Sequence, residues 1–248
     1  MRNITDIAAA RPTLLVGPRD RARVVRAIFR SYQLTWIEYL GRDRTSPGRS
    51  SDARLKRAEL LYRALARGRG AVIAAPHTGN WELAGLAFAR LGFTVHVVTG
   101  VQLDPRLTGA MRAMKERERI RVSTPEDGFS PLLATLRQGG VVVLLVDGDI
   151  HTRSIDAPFF GRSVPFPAGP AILARRARAP LVHAHAERAH DGTHWISFDA
   201  LDEADPTLPL SADLRRLTAR VAAVLEDTVA AHLTQWCVFR PFHATDAA

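Results

Sequence analysis

The stretch Ala71-Val72-Ile73-Ala74-Ala75-Pro76-His77-Thr78-Gly79-Asn80-Trp81-Glu82 decides the fold. Residues 71–75 are apolar on both sides of the chain, which predicts a short strand buried on both faces of a sheet. A helix over residues 80–91, stopped by Gly92, follows at once. The same alternation continues downstream. Strands are predicted over 93–99, 120–124 and 141–147, with helices over 105–119, 131–138 and 167–177 between or after them. Strands over 181–186 and 194–200 and a long closing helix over 212–233 complete the pattern. Such a series predicts an α/β fold, a central sheet covered by helices on both faces. Residues 187–193 are only long enough for a hairpin, so the sheet is expected to be mixed.

Upstream, residues 20–40 read as a helix with Val25, Ile28, Tyr32, Trp36 and Leu40 on one face. Arg21, Arg23, Arg26 and Arg30 crowd its first half. A Gly-, Pro- and Ser-rich loop follows over 41–51. Ser51 or Asp52 then caps a second amphipathic helix running through Leu55, Leu60, Leu61 and Leu65 to Gly68. Residues 1–18 carry no sustained periodicity. The expectation is one domain over 1–248, with a loose lead-in (1–18), two N-terminal amphipathic helices (19–68) and the α/β core (69–248).

The chain has 248 residues, 34 basic against 25 acidic, for a net charge of +9. Of the basic residues only Lys56 and Lys115 are lysines, a bias that genomic base composition can produce by itself. Arginine still offers planar forks for phosphate and carboxylate, so nucleic acid, an anionic lipid surface and phosphate-bearing small molecules are all open partners. The single cysteine, Cys237, excludes an intrachain disulfide framework and fits a reducing compartment. No apolar run approaches the roughly 18–20 residues of a membrane span. Asp6, Arg11 and Pro12 interrupt the only stretch that could serve as a secretory signal. A soluble or peripherally bound cytoplasmic protein is expected.

Two segments carry candidate chemistry. In the first, His77 lies in the turn at a strand end, where ligands gather on α/β sheets. Glu82 in the first helical turn can reach back toward the imidazole, fix its tautomer and stabilise its cation, which makes His77 a candidate general base. The amides of Thr78, Gly79 and Asn80, near a helix N-terminus, are candidate donors to a developing oxyanion. The bland alternative is a polar turn in which Glu82 only favours the helix dipole. The second segment, residues 147–161, holds Asp147, Asp149, His151, Arg153, Asp156 and the pair Phe159-Phe160. It can be an aspartate-rich loop or, with Asp147, Asp149 and His151, a metal site. No matching ligand motif occurs elsewhere, so no metal is assigned. Phenylalanine pairs are more often core than ligand wall.

Together the strand–Pro76-His77-x-Gly79-Asn80-Trp81-Glu82–helix turn, Asp147-x-Asp149, Pro158-Phe159-Phe160-Gly161, the run from Phe166 to Ala174 and Ala179-Pro180-Leu181-Val182 resemble the bacterial lipid acyltransferases. That family includes the lipid A lauroyl and myristoyl acyltransferases and the phosphatidylinositol mannoside acyltransferases. The resemblance extends from Phe29, Arg30, Ser31, Tyr32, Trp36 and Glu38 to Gln235, Trp236, Phe239, Arg240 and Pro241.

The resemblance implies a glycerolipid-acyltransferase-like fold. It also implies transfer of a fatty acyl chain from a thioester, acyl-CoA or acyl carrier protein, to a hydroxyl of a glycolipid or phospholipid. No permanently bound cofactor is implied. His77 would be the base, with Glu82 first for site membership, Asp156 close behind as the imidazole's partner and Asp147 a further possibility. Thr78, Gly79, Asn80, Arg153, Phe159, Phe160 and Arg162 are the expected substrate contacts, and Leu83, Leu86, Phe88 and Phe166 candidates to line an acyl slot. Many family members begin with a hydrophobic anchor that residues 1–18 do not supply. Attachment to the inner face of the cell membrane is then expected through the arginine-rich helix. An acyl-thioester hydrolase and a non-catalytic lipid-binding protein of the same fold are the alternatives. A nucleic-acid module is disfavoured, because the chain has no zinc pattern or RNA-recognition signature.

Overall fold

The computed structural model describes residues 2–14, 17–41, 53–100, 105–148 and 153–242. Strand β2 (Ala71–Ala75) lies at the centre of a seven-stranded sheet of order β1-β9-β8-β2-β5-β3-β4. The other members are β1 (Arg54–Lys56), β3 (Val95–Val98), β4 (Arg121–Ser123), β5 (Val141–Leu145), β8 (Leu181–Arg188) and β9 (His194–Asp202). All neighbours run parallel except β8 and β9, whose short connection makes them an antiparallel pair. The result is a mixed α/β domain with a mostly parallel sheet.

Side chains alternate across a strand, and β2 uses both directions for core. Val72 and Ala74 join the cluster built with α6 (Ser130–Arg137), α7 (Gly169–Ala177) and α8 (Leu210–Ala231). Ala71 and Ile73 join the one built with α3 (Glu59–Leu65) and α4 (Trp81–Arg90). Helix α5 (Pro105–Arg117) precedes β4 and brings Met114 against Tyr39, Leu83 and Leu86.

Several N-terminal expectations change. Residues 1–18 are not a loose lead-in throughout, because α1 (Arg2–Ala10) buries Ile4, Ile7 and Ala8 in the core. That stripe is only two turns long before Arg11 and Pro12 end it, too short to register as a period. The second helix begins at Glu59, not near residue 51, since Leu55 lies in the edge strand β1. The core sheet therefore draws on residues before 69. Helix α2 (Pro18–Gly41) forms as expected but buries Val24, Ile28, Ser31, Thr35 and Tyr39, while Phe29, Ile37 and Leu40 are exposed. A separate antiparallel hairpin, β6 (Ser154–Phe159) with β7 (Arg162–Pro167), has no counterpart in the sequence reading.

Candidate functional site

Parallel pairing of β2 with β5 builds the site. Ala71 faces Val141 and Ala75 faces Leu145, an offset of 70 residues held along the ladder. Two residues beyond the last pair, at the same offset, stand His77 and Asp147. Their backbones leave the sheet at the same edge, so their side chains meet there. Nδ1 of His77 is 2.7 Å from Oδ1 of Asp147, and the His77 amide donates to Oδ2 at 2.8 Å. The indole Nε1 of Trp236 donates to the same Oδ2 at 2.7 Å.

The Asp147 side chain is 2% exposed and that of His77 26% exposed, so the acid is sealed beneath a ring that still meets solvent. Burial works against charge on the ring, yet Asp147, by its charge and its hydrogen bond, and Glu82, by its charge, carry the imidazole above its ordinary value. With Nδ1 engaged, Nε2 is the nitrogen left for a substrate proton. Trp81 packs edge-on against the ring at 5.1 Å.

The sequence-predicted residues separate here. Half-buried Glu82 pairs with buried Lys115 at 2.5 Å and reaches His77 only by its field. Asp156 stands exposed on β6, and the imidazole's carboxylate partner is Asp147 instead. Gly79 adopts φ +55°, and a Cβ there would sit 2.5 Å from the Ala186 carbonyl oxygen, so only glycine fits. Its amide points to the Gln235 carbonyl at 3.3 Å and is not directed at substrate.

Asn80 is also committed. Its Oδ1 caps α4 by accepting from the Leu83 amide at 3.0 Å, and its Nδ2 donates to the Thr35 carbonyl and the Glu38 carboxylate. Thr78 is fully buried and bridged to Trp236, with a hydroxyl that has no partner. The Thr78 and Asn80 side chains thus hold a supporting place in the turn.

Arg162 is paired with Asp6 of α1 at 3.2 Å, and Arg153 is exposed at the start of the hairpin. Phe159, Phe160 and Phe166 are 1–2% exposed and belong to the core, as do Leu83, Leu86 and Phe88. Phe159 lies 6.3 Å from the Trp236 ring. Phe159 therefore backs the indole that holds Asp147. Asp149 and His151 lie outside the described residues.

Reasoning from local sequence missed the supports that lie far along the chain. Arg188 forks onto Glu38 through Nε at 2.8 Å and Nη2 at 2.6 Å, and Thr35 donates to the Gly79 carbonyl at 2.8 Å. Cys237, distant in sequence, donates its amide to the His77 carbonyl at 2.8 Å. Burial pushes its thiol up to about 12, with Ser31 opposing the shift, which keeps the sulfur protonated. No local pattern announces these contacts; only the presence of Glu38 and Trp236 among the quoted motifs hinted at them.

Comparison with known proteins gives the following. A family model described as bacterial lipid A biosynthesis acyltransferase matches residues 18–243. A phosphatidylinositol mannoside acyltransferase of Mycobacterium tuberculosis (strain ATCC 25618 / H37Rv) is 32% identical over 187 residues, 73% of this chain and 57% of the relative. One from Mycolicibacterium smegmatis (strain ATCC 700084 / mc(2)155) is 27% identical over 226 residues, 88% and 71% of the two chains. The match thus spans little more than half the length of the M. tuberculosis relative.

Proposed function

The chain belongs to the bacterial lipid A biosynthesis acyltransferase family, and from that premise we propose that it transfers a fatty acyl group from a thioester to a lipid hydroxyl. The observation that carries the reading is the His77–Asp147 pair at the carboxyl edge of two adjacent parallel strands. The donor is acyl-CoA or acyl carrier protein, and the acceptor a phospholipid or glycolipid; relatives named for mannosylated phosphatidylinositol support the latter.

An alcohol is a weak nucleophile near neutrality, and a positioned base speeds its attack by roughly 10²–10⁴-fold. Nε2 of His77 takes the hydroxyl proton while Asp147 holds the Nδ1–H tautomer and stabilises the imidazolium. The alkoxide oxygen forms a bond to the thioester carbonyl carbon. The tetrahedral intermediate then collapses, the C–S bond breaks, and the thiolate takes the proton back from Nε2. Asp147 acts through His77 and is a positioning residue. Direct transfer needs no acyl-enzyme and no resident cofactor, and a Cys237 thiol held protonated supports that route.

Access from a membrane suits this chemistry. Phe29 of α2 is exposed with its ring 5.0 Å from that of the exposed Phe239, and Ile37, Leu40, Arg19, Arg23, Arg26 and Arg30 are exposed on the same helix. This surface supports peripheral attachment to an anionic inner leaflet.

The test is product analysis with a labelled acyl thioester, with and without lysophospholipid or mannosylated lipid. Acceptor-dependent appearance of acylated lipid is expected. Release of free fatty acid alone, unchanged by acceptor, would make the protein a thioester hydrolase.

A further inference from the structure

Behind the catalytic turn lies a second convergence of donor atoms. His185 and Glu187 are two residues apart on β8, so their side chains leave the same face of the sheet. His232 ends α8 and opens the segment that carries Gln235, Trp236 and Cys237. Each of the three offers one ligating atom within 4.8 Å of the other two. Nδ1 of His185 is fixed by Asp199 of β9 at 2.7 Å, which orients the ring and leaves Nε2 available. A carboxylate behind an imidazole in this way is the usual outer support of a metal-bound histidine.

Glu187 shows the same division of labour. Lys56 of the edge strand β1 takes Oε1, while Oε2 looks toward Nδ1 of His232 at 3.6 Å, too far for a hydrogen bond. The two imidazole rings stand 4.6 Å apart with a tilt of 40°. Two imidazoles and one carboxylate, brought together from a strand and a distant helix end, suit zinc better than the oxygen-seeking calcium or magnesium. Lys56 places a cation beside Glu187, with its ammonium 4.7 Å from the centre of the Trp195 ring and its side chain 46% exposed, so it competes with an ion for the carboxylate.

We propose that His185, Glu187 and His232 bind one divalent zinc-type ion that clamps the segment 232–237 to β8. The place gives the clamp a consequence. Gly79 rests directly on the Ala186–Glu187 backbone. The segment after His232 supplies the Gln235 carbonyl to Gly79, the Cys237 amide to His77 and the Trp236 indole to Asp147. The ion touches none of the reacting atoms and fixes the two surfaces between which the turn is held. This inference stands apart from the acyl-transfer reading, since it rests on donor geometry alone.

The test is a titration of the tag-free, chelator-stripped full chain with Co²⁺, read by visible absorption, followed by displacement with Zn²⁺. A single saturable equivalent with ligand-field bands is expected. Glu187→Gln and His232→Ala are expected to weaken binding about tenfold or more, and Lys56→Ala to tighten it by removing the competing charge. Zn²⁺ is expected to raise the melting temperature of the wild type and to leave that of His232→Ala unmoved. Failure of both wild type and Lys56→Ala to take up ion, or uptake that His232→Ala and Glu187→Gln leave unchanged, would overturn the site.

Discussion

At the scale of single residues, the proposed role of His77 as base carries a pH prediction. A base must be neutral to accept a proton, and burial, which favours the neutral ring, is outweighed here by Asp147 and Glu82. The rate is therefore expected to rise with pH through a midpoint above that of a free imidazole, and Asp147→Asn to move that midpoint to lower pH. The sign for stability follows from the same shift. A folded-state value above the unfolded one stabilises fully below the unfolded value, and that contribution fades as pH rises through the folded value. The melting-temperature gap between wild type and His77→Gln should therefore narrow from acid to alkaline pH.

Gly79 and Cys237 give two further residue-scale tests. Gly79→Ala forces a Cβ to 2.5 Å from backbone at φ +55°, and a loss of about 1–3 kcal/mol in a denaturant melt is expected. The buried, protonated thiol of Cys237 should resist iodoacetamide in the native chain and react once the chain unfolds; rapid native labelling would contradict its place.

At the scale of elements, α2 illustrates what a sequence shows and what it hides. Its helical period was legible, but the buried stripe runs through Ser31 and Thr35, not through Tyr32 and Trp36. Small polar side chains let the helix approach the turn closely enough for Thr35 to bond Gly79. Hydrogen-bond fit outweighed apolar area. Thr35→Val keeps the volume and removes the donor, so a stability loss of about 1–3 kcal/mol is expected if the Gly79 carbonyl is left unpaired. Strands β2 and β5 were legible because strands buried on both faces are apolar throughout. Their relative register was not. An offset between two strands is a tertiary fact, and without it Glu82 and Asp156, near His77 or near the Phe-Phe pair in sequence, outranked Asp147. The hairpin β6–β7 was hidden for a related reason: prolines at 158 and 165 interrupt any strand pattern and Pro167 read as the start of a helix, yet a two-stranded edge accommodates all three.

At the scale of the whole molecule, exposed arginines and exposed apolar side chains coincide on α2. Among the described residues no helix is long and apolar enough to cross a membrane. The net charge of +9 and the exposed arginines of α2 instead suit an anionic surface, at about 1 kcal/mol for each basic side chain close to it. Cosedimentation with phosphatidylglycerol vesicles is expected at low salt, weakening as salt is added. Reversing Arg23, Arg26 and Arg30 to glutamate should abolish it. Retention that ignores both salt and those reversals would assign attachment to another surface.

The central claim is that Asp147 positions the imidazole that deprotonates the acceptor. Its most direct test compares Asp147→Asn with Asp156→Asn by kcat/KM across pH in the acyl-transfer assay. Asp147→Asn should lose about 10²–10⁴-fold with its pH midpoint displaced toward acid, and Asp156→Asn should keep the wild-type midpoint. Wild-type kinetics in Asp147→Asn beside a comparable loss in Asp156→Asn would contradict the account.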